Sequence, residues 1–398
     1  MRFIFVSRQE RGFYLRRGES RDFFRSGEPF SAGFLHEKLE TEKKLILHSH
    51  IQGQGAETFR PLASYEGEGI LFINHRLLKT AGKCFVAAGL VLVCLTAARA
   101  QGSRAASAAS YLARGQEWHA KGELERAVAD YDIALTFEPR SVQAYRLRGA
   151  ARLVRDDLDG AIADFDRALE LDPRLAEAHS NRGLAHYLRG EREAALADFN
   201  RALELDQRFA QVYFNRGRLR LDQRDYASAI ADLNQAIEIN KKYVSAYNDR
   251  GYARVMIGDH EGALSDFDRA LKFDPRHTSA YVNRGNLRFV RGDYDDAIAD
   301  HSRAIELNPR LAEIYNNRGN VRYAKRDYES AIADYDRALA LDPAHAQIYA
   351  NRGMAWLRRG RMAEAEADFA QCVRLKPDMK SSLDQRIGHV QSQLAGNR

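Results

Sequence analysis

The chain has 398 residues, 29% of them charged, and a formal net charge of +6. Residues 1–100 carry 15 of the 61 basic and 10 of the 55 acidic residues, so the rest of the chain is close to neutral, with charges of alternating sign. This balance excludes a surface built for polyanions, and the presence of only three cysteines excludes a disulfide framework. We therefore expect no nucleic-acid partner.

Residues 1–77 show no sustained helical or strand periodicity, and no fold is predicted for them. Basic residues at Lys79 and Lys83 then precede an apolar run at 84–98, which ends in the sequence Ala-Arg-Ala. This order of basic, apolar and small residues predicts a secretory signal peptide at 78–100. We therefore expect an exported protein of the periplasm or cell envelope.

The alternative is a membrane anchor formed by 84–98, although its 15 residues are fewer than the roughly 20 that a spanning helix needs. A signal peptide belongs at the start of a chain, whereas this one follows a long upstream segment. We hypothesise that translation begins near Leu77 or Leu78, which makes residues 1–77 an over-extended or unstructured N-terminus. If Met1 is the true start, 84–98 is an internal signal-anchor, and it is the only membrane contact that we expect.

After a polar linker at 101–107, a 34-residue pattern fills 108–379 in eight consecutive repeats, numbered 1 to 8, with positions counted from the first residue of each. Position 20 is alanine in every repeat, position 24 is mostly aromatic and position 32 is mostly proline. Such a period indicates a stacked array with one elongated core rather than separate globular domains. Position 8 is always glycine: Gly115, Gly149, Gly183, Gly217, Gly251, Gly285, Gly319 and Gly353.

Each repeat has the pattern of two helices joined by a short turn. In repeat 6 the first helix is predicted at 279–291, a Gly-Asp turn follows, and the second helix covers 294–307. The proline at position 32 then ends the second helix, because proline cannot continue it. Beyond the last repeat, apolar residues at spacings of four and three predict an amphipathic capping helix within the C-terminal segment 380–398.

With an aromatic at positions 4 and 24, glycine at 8, alanine at 20 and 27 and proline at 32, the unit resembles the tetratricopeptide repeat (TPR). The resemblance implies an all-α fold, a right-handed solenoid of eight helix-turn-helix repeats plus a C-terminal capping helix. Departures are few: Gln207 and Lys241 replace the proline, and Leu233 and His301 replace the aromatic at position 24.

Position 7, usually apolar in the TPR family, is arginine in all eight repeats, and position 23 is aspartate in all eight. Position 7 lies on the packing side of the first helix, where a charge must find a partner. We therefore predict a structural ladder of Arg-Asp ion pairs between the two helices; the alternative is an arginine stripe that binds phosphate. The predicted pairs are Arg182 with Asp198, Arg216 with Asp232, Arg250 with Asp266, Arg284 with Asp300, and Arg318 with Asp334.

Positions 2, 6, 9 and 13 share the other side of the first helix, which lines the concave groove in TPR superhelices. Position 6 is an amide in five of the last six repeats, and an amide offers a peptide backbone both a donor and an acceptor. The row resembles the asparagine ladder in the TPR superhelix of O-linked N-acetylglucosamine transferase, although repeat duplication alone is an alternative explanation. The candidate peptide-binding residues, facing solvent, are Asn181, Asn215, Asp249, Asn283, Asn317, Asn351, Asn286, Asn320 and Tyr252.

The histidines occupy mostly unrelated repeat positions, and no metal-binding spacing or phosphate-binding glycine loop is present. We expect a non-catalytic interaction scaffold, without cofactor or metal, that binds an extended peptide or partner protein in the groove. Two alternatives stay open. One is a structural or assembly component that docks by its convex face or ends, and the other is an accessory that presents substrates to an enzyme. The partner and the oligomeric state are not predicted.

Overall fold

The computed structural model describes residues 106–396, which form helices and the turns between them. The predicted N-terminal region 1–77, the signal peptide or anchor at 78–100 and most of the linker lie outside the described residues. Within 106–396, no helix is both long and apolar enough to cross a membrane. The predicted all-α array of paired helices is confirmed over this range.

In repeat 6, the helices begin and end within one residue of the predicted positions. A short 3₁₀ turn, Pro377–Met379, links repeat 8 to the last helix. The helices, labelled in chain order, are α1 (106–120), α2 (Leu124–Phe137), α3 (Val142–Val154), α4 (Leu158–Leu171), α5 (Ala176–Arg189), α6 (Arg192–Leu205), α7 (Ala210–Asp222), α8 (Tyr226–Ile239), α9 (Val244–Met256), α10 (His260–Phe273), α11 (Thr278–Arg291), α12 (Tyr294–Leu307), α13 (Ala312–Ala324), α14 (Tyr328–Leu341), α15 (Ala346–Arg358), α16 (Met362–Leu375) and α17 (Lys380–Gly396).

The described chain divides into two compact units, 106–207 and 208–396. The first contains α1 to α6, and the second contains α7 to α17. Within each unit, a second helix packs against the first helix of its own repeat and against the first helix of the repeat that follows in that unit. This alternation gives each unit the layered helix pairs of a solenoid.

The turn inside each repeat depends on position 15, which adopts a positive φ. Glycine accepts this conformation without strain, as at Gly292, where φ is 92°. In four repeats the aspartate at the next position, position 16, then caps the second helix: the side chain of Asp259, for example, accepts a hydrogen bond from the backbone N–H of Gly262 at 2.9 Å. In repeat 5 the Gly258-Asp259 sequence therefore ends one helix and begins the next.

The core of each repeat forms where the two helices approach most closely. In repeat 5 the ring of Phe267 at position 24 lies directly over Gly251 at position 8, and a Cβ added to that glycine would meet the ring at 2.7 Å. Ala263 and Ala270, one helical turn on either side of Phe267, are fully buried. Small residues on both helices thus leave room for one large ring between them.

The last helix, α17, covers the apolar end of repeat 8. Leu383 and Val390 of α17 are buried in one hydrophobic cluster with Met354, Leu357 and Phe369 of repeat 8. Burial of these apolar groups explains why the segment is helical despite the glycine near its middle. The helix therefore acts as a cap, as the spacing of its apolar residues predicted.

Candidate binding surface

The candidate surface is the face of the first helices formed by positions 2, 6, 9 and 13, and we call it the first-helix surface. In the unit 208–396 its position-6 side chains are buried rather than exposed to solvent, and so are its position-9 side chains apart from the half-buried Arg218. The expectation that these groups face solvent is therefore wrong for eight of the nine candidates. The exposed fractions are Asn215 3%, Asp249 2%, Asn283 0%, Asn317 0%, Asn351 1%, Asn286 0%, Asn320 0% and Tyr252 2%.

The physical reason is that amides of neighbouring repeats hydrogen-bond to one another. Nδ2 of Asn283 donates to Oδ1 of Asn248 in the preceding repeat at 3.0 Å. Nδ2 of Asn351 donates in the same way to Oδ1 of Asn316 at 3.0 Å and to Oδ1 of Asn320 at 3.1 Å. The asparagines at positions 5, 6 and 9 therefore form an amide network that joins consecutive first helices.

Glutamine at position 2 extends this network toward the start of the first helix. Nε2 of Gln211 donates to Oδ1 of Asn215, and Nε2 of Gln347 donates to Oδ1 of Asn351, each at 3.0 Å. The hydroxyl of Tyr243 in turn donates to Oε1 of Gln211 at 2.6 Å. The surface therefore has buried amides in the middle of the helices and polar side chains at its N-terminal edge, half-buried at Gln211 and buried at Gln347.

Charged groups on this surface are paired within the protein. Asp249, the single carboxylate in the position-6 row of the unit 208–396, accepts a hydrogen bond from Nδ2 of Asn248 at 3.1 Å, and Nε of Arg218 lies 3.9 Å from its Oδ2. At the other end, Nε of Arg358 donates to the hydroxyl of Tyr323 at 3.4 Å. Neither sign of charge dominates the surface.

The unit 106–207 has a different first-helix surface. In repeats 2 and 3, positions 9 and 13 are apolar and half-buried, as Ala150, Leu184 and Leu188 show, and Asn181 beside them is also half-buried. Asn181 is thus the one candidate that keeps partial exposure. The surface of this unit is mainly apolar, whereas that of the unit 208–396 is mainly polar.

The arginines at position 7 lie on the opposite side of the first helices, each held by the aspartate at position 23. In repeat 5, Nε of Arg250 donates to Oδ2 of Asp266 at 2.9 Å, and Nη2 donates to Oδ1 at 2.6 Å. This two-pronged geometry satisfies both carboxylate oxygens and fixes the arginine plane. The same arrangement joins Arg182 to Asp198, Arg216 to Asp232, Arg284 to Asp300 and Arg318 to Asp334.

The buried Asp198 shows how these partners favour the ionised carboxylate. Burial opposes the ionised form of Asp198, but hydrogen bonds from His179 and Arg182 outweigh it and hold the pKa of Asp198 below its ordinary value. The bond to Asp198 likewise raises the pKa of Arg182. An arginine committed to an internal carboxylate in this way has little to offer an external phosphate.

A third contact of the position-7 arginines was not predicted from the sequence. The remaining terminal nitrogen, Nη1, reaches back to position 25 of the preceding repeat, as in Arg284 to Asp268 at 2.6 Å and Arg250 to Asn234 at 2.7 Å. The signal was present in the sequence, since position 25 is aspartate, asparagine or serine in repeats 1 to 7 and Ala370 in repeat 8. Further contacts of this kind are Arg148 to Asp132, Arg182 to Asp166, Arg318 to Ser302 and Arg352 to Asp336.

A second arginine, at position 11, binds the same aspartate in five repeats. In repeat 5, Nη1 of Arg254 donates to Oδ2 of Asp266 at 2.8 Å and to the carbonyl oxygen of Gly262 at 3.1 Å. The aspartate at position 23 is therefore the centre of a small ionic cluster. Over residues 106–396, no group of three or more His, Cys, Asp or Glu side chains is placed to hold a metal ion.

Protein-family sequence models described as TPR repeat or tetratricopeptide repeat together match more than half of the chain. The matched residues are 155–190 and 285–325, 214–278 and 316–380, and 176–209. A comparison with curated protein sequences found no match.

Several solved structures resemble the chain. A tetratricopeptide repeat protein from Parabacteroides merdae is 22% identical, with a TM-score of 0.48, over 65% of this chain and 99% of that one. The Cut9–Hcn1 hetero-tetramer of the APC/C is 16% identical, with a TM-score of 0.52, over 66% of this chain and 52% of that one. YrrB, described as a TPR protein with an unusual peptide-binding site, is 24% identical, with a TM-score of 0.40, over 46% of this chain and 95% of that one.

At these identities the similarity to solved structures concerns the fold alone. Proteins built from this repeat are generally non-catalytic scaffolds that bind proteins or peptides. The repeat matches, together with the helix pairs and the glycine-aromatic cores described above, show that the chain belongs to the tetratricopeptide repeat family.

Proposed function

We propose that the protein is a non-catalytic scaffold that binds an extended segment of a partner protein along the first-helix surface of the unit 208–396. The observation that supports this function is the amide network, in which Asn283 and Asn351, two repeats apart, each bond the position-5 asparagine of the preceding repeat in the same way. An extended backbone presents donors and acceptors at regular intervals, and an amide has two donor hydrogens and two acceptor lone pairs. An amide bonded to its neighbour therefore keeps spare bonding capacity, but a ligand can reach the buried amides only past the side chains at the edge of the surface.

Because the amide network is buried, a bound segment would first contact the side chains at the edges of the network. Ser245 and Ser279 at position 2, and Met256 and Val290 at position 13, are half-buried at the two ends of the buried amides. A bound segment would meet these side chains before it reaches the network. The mixture of serine, aliphatic and thioether groups favours backbone recognition with broad side-chain tolerance.

The charges of the surface select the class of partner. Arg218 and Arg358 are balanced by Asp249, Asp222 and Glu313. An acidic tail or a nucleic acid would require an excess of basic groups. The partner that fits this surface is a segment of low or mixed charge.

The test adds bulk and charge at the edge of the surface without changing the buried network. The double variant Ser245→Arg, Ser279→Arg alters position 2 of repeats 5 and 6. A matched control, Ser265→Arg with Ala299→Arg, places the same charges on exposed positions of the second helices. Binding is measured on an array of short immobilised peptides and by capture of envelope proteins.

We expect the control variant to bind the same peptides as the wild-type protein and the position-2 variant to lose them. If the position-2 variant binds as the wild type does and the control variant does not, the partner docks on the second helices. The proposed binding to the first-helix surface is then wrong. An accessory that presents substrates to an enzyme would behave as a groove binder here, and the captured partner would identify it.

We also propose that the protein is exported and that the mature chain begins at Gln101. The support is the order of basic, apolar and small residues at 78–100. Mass spectrometry of the protein from its natural host is expected to give Gln101 as the first residue. Recovery of any peptide from 1–77 would show that translation begins upstream, and the segment 84–98 would then be an anchor.

A further inference from the structure

One polar side chain in repeat 6, that of His301, is buried without a hydrogen-bond partner among the described residues. His301 occupies position 24, where seven repeats carry Phe, Tyr or Leu, and it is fully buried. Its ring lies against Gly285, and no hydrogen-bond partner for either ring nitrogen is present among the described residues. An imidazole buried in this way gains packing area but loses the hydrogen bonds that water would provide.

The imidazole also divides the hydrophobic core of its repeat. In repeat 5, Phe267 joins Ala263 and Ala270 in one cluster. In repeat 6, the corresponding alanines belong to two separate clusters, Ala297 to one and Ala304 to the other, with His301 between them on the same face of α12. Repeat 6 therefore lacks the continuous apolar core that Phe267 provides in repeat 5.

The charged groups around His301 offer no compensation for a positive imidazole. The carboxylate of Asp300, on the same helix, is bound by Arg284 and Arg288 of α11. Arg318, on α13, adds a further positive charge close enough to disfavour a charged imidazole. Burial, reinforced by Arg318, lowers the pKa of His301 to about 3.

We propose that His301 is an acid-sensitive point built into the array, at which repeat 6 opens when the imidazole is protonated. The folded repeat holds the neutral ring, whereas the opened repeat exposes the ring to water and binds a proton below the ordinary pKa of histidine. Repeat 6 therefore keeps its stability at neutral pH and loses it progressively as the pH falls below about 6.5. This inference does not depend on what the first-helix surface binds.

The test compares hydrogen exchange of the wild-type protein with that of His301→Phe, which installs the residue found in repeats 2, 3, 5 and 8. With protection factors corrected for intrinsic exchange, opening of 278–311 is expected to increase roughly 20-fold between about pH 7 and pH 5 in the wild type. His301→Phe is expected to abolish most of this increase. A second variant, His301→Leu, follows Leu233 of repeat 4 and serves if the phenylalanine variant does not fold.

A matched control removes a histidine of another repeat, His260 of repeat 5. His260→Tyr changes position 17 of repeat 5 to the residue that repeats 4, 6 and 7 carry there. It is expected to leave the acid response of 278–311 unchanged. The proposal is wrong if His301→Phe and His301→Leu show the same pH dependence as the wild type, or if the wild type shows no extra opening of repeat 6 near pH 5.

Discussion

The three guanidinium nitrogens of Arg284 donate hydrogen bonds to carboxylates in two different repeats. Nε and Nη2 bind Asp300 in the same repeat, and Nη1 binds Asp268 in the repeat before. An apolar residue at this position would fill the same space but could not define the distance between repeats so closely. The planar fork of arginine has the geometry for this task, and the point charge of lysine does not.

Replacing this arginine is therefore expected to be costly. Arg284→Ala leaves Asp300, whose side chain is 4% exposed, with one arginine fewer, and it is expected to destabilise the unit by about 3 kcal/mol. Arg303→Ala is the control, since it removes an exposed pair with Glu306 and is expected to cost at most about 0.5 kcal/mol. Urea unfolding followed by circular dichroism measures both. Equal effects would contradict a structural role for the buried pair.

The glycine at position 8 gives a second prediction at this scale. In Gly251→Ala the new Cβ would lie 2.7 Å from Cε1 of Phe267, which is fully buried and cannot move aside. The expected loss is about 1–3 kcal/mol, less the roughly 1 kcal/mol by which alanine favours a helix over glycine. Thermal unfolding is the measurement. A rise in the melting temperature would show that α9 and α10 can separate without cost.

At the scale of the helix, the two-helix pattern could be predicted because each boundary has a local cause. The turn at Gly292 and the aspartate caps depend on residues within a few positions of each other. The burial of Asn283 and Asn317 could not be predicted in this way. It depends on how closely successive first helices approach, and those helices meet through side chains 35 residues apart in the sequence, such as Asn283 and Asn248.

In the C-terminal helix, replacing a glycine by alanine is expected to stabilise the protein, the opposite of the effect expected at Gly251. A Cβ added to Gly388 would meet nothing within 4 Å. Gly388→Ala should therefore stabilise α17 by about 0.5–1 kcal/mol through helix propensity alone. Calorimetry is expected to show a higher melting temperature and unchanged helix content. A lower melting temperature would mean that α17 needs a bend at this residue.

At the scale of the molecule, stability in a repeat array spreads mainly between neighbours. Since Arg284 binds groups in repeats 5 and 6, Arg284→Ala is expected to reduce hydrogen-exchange protection in 244–311. Protection of 346–379, in repeat 8, is expected to stay within about twofold of the wild type. Uniform loss over the unit 208–396 would show that it unfolds as a single cooperative body.

The contact between position 7 of one repeat and position 25 of the preceding repeat also bears on how such a protein can change in length. A repeat copied whole and inserted among its neighbours supplies an arginine for the repeat before it and an acceptor for the repeat after it. Gene duplication can therefore lengthen the array while every inserted arginine and acceptor keeps a partner in the neighbouring repeat. Ala370 fits this rule, since it stands at position 25 of repeat 8, which is followed by the capping helix α17.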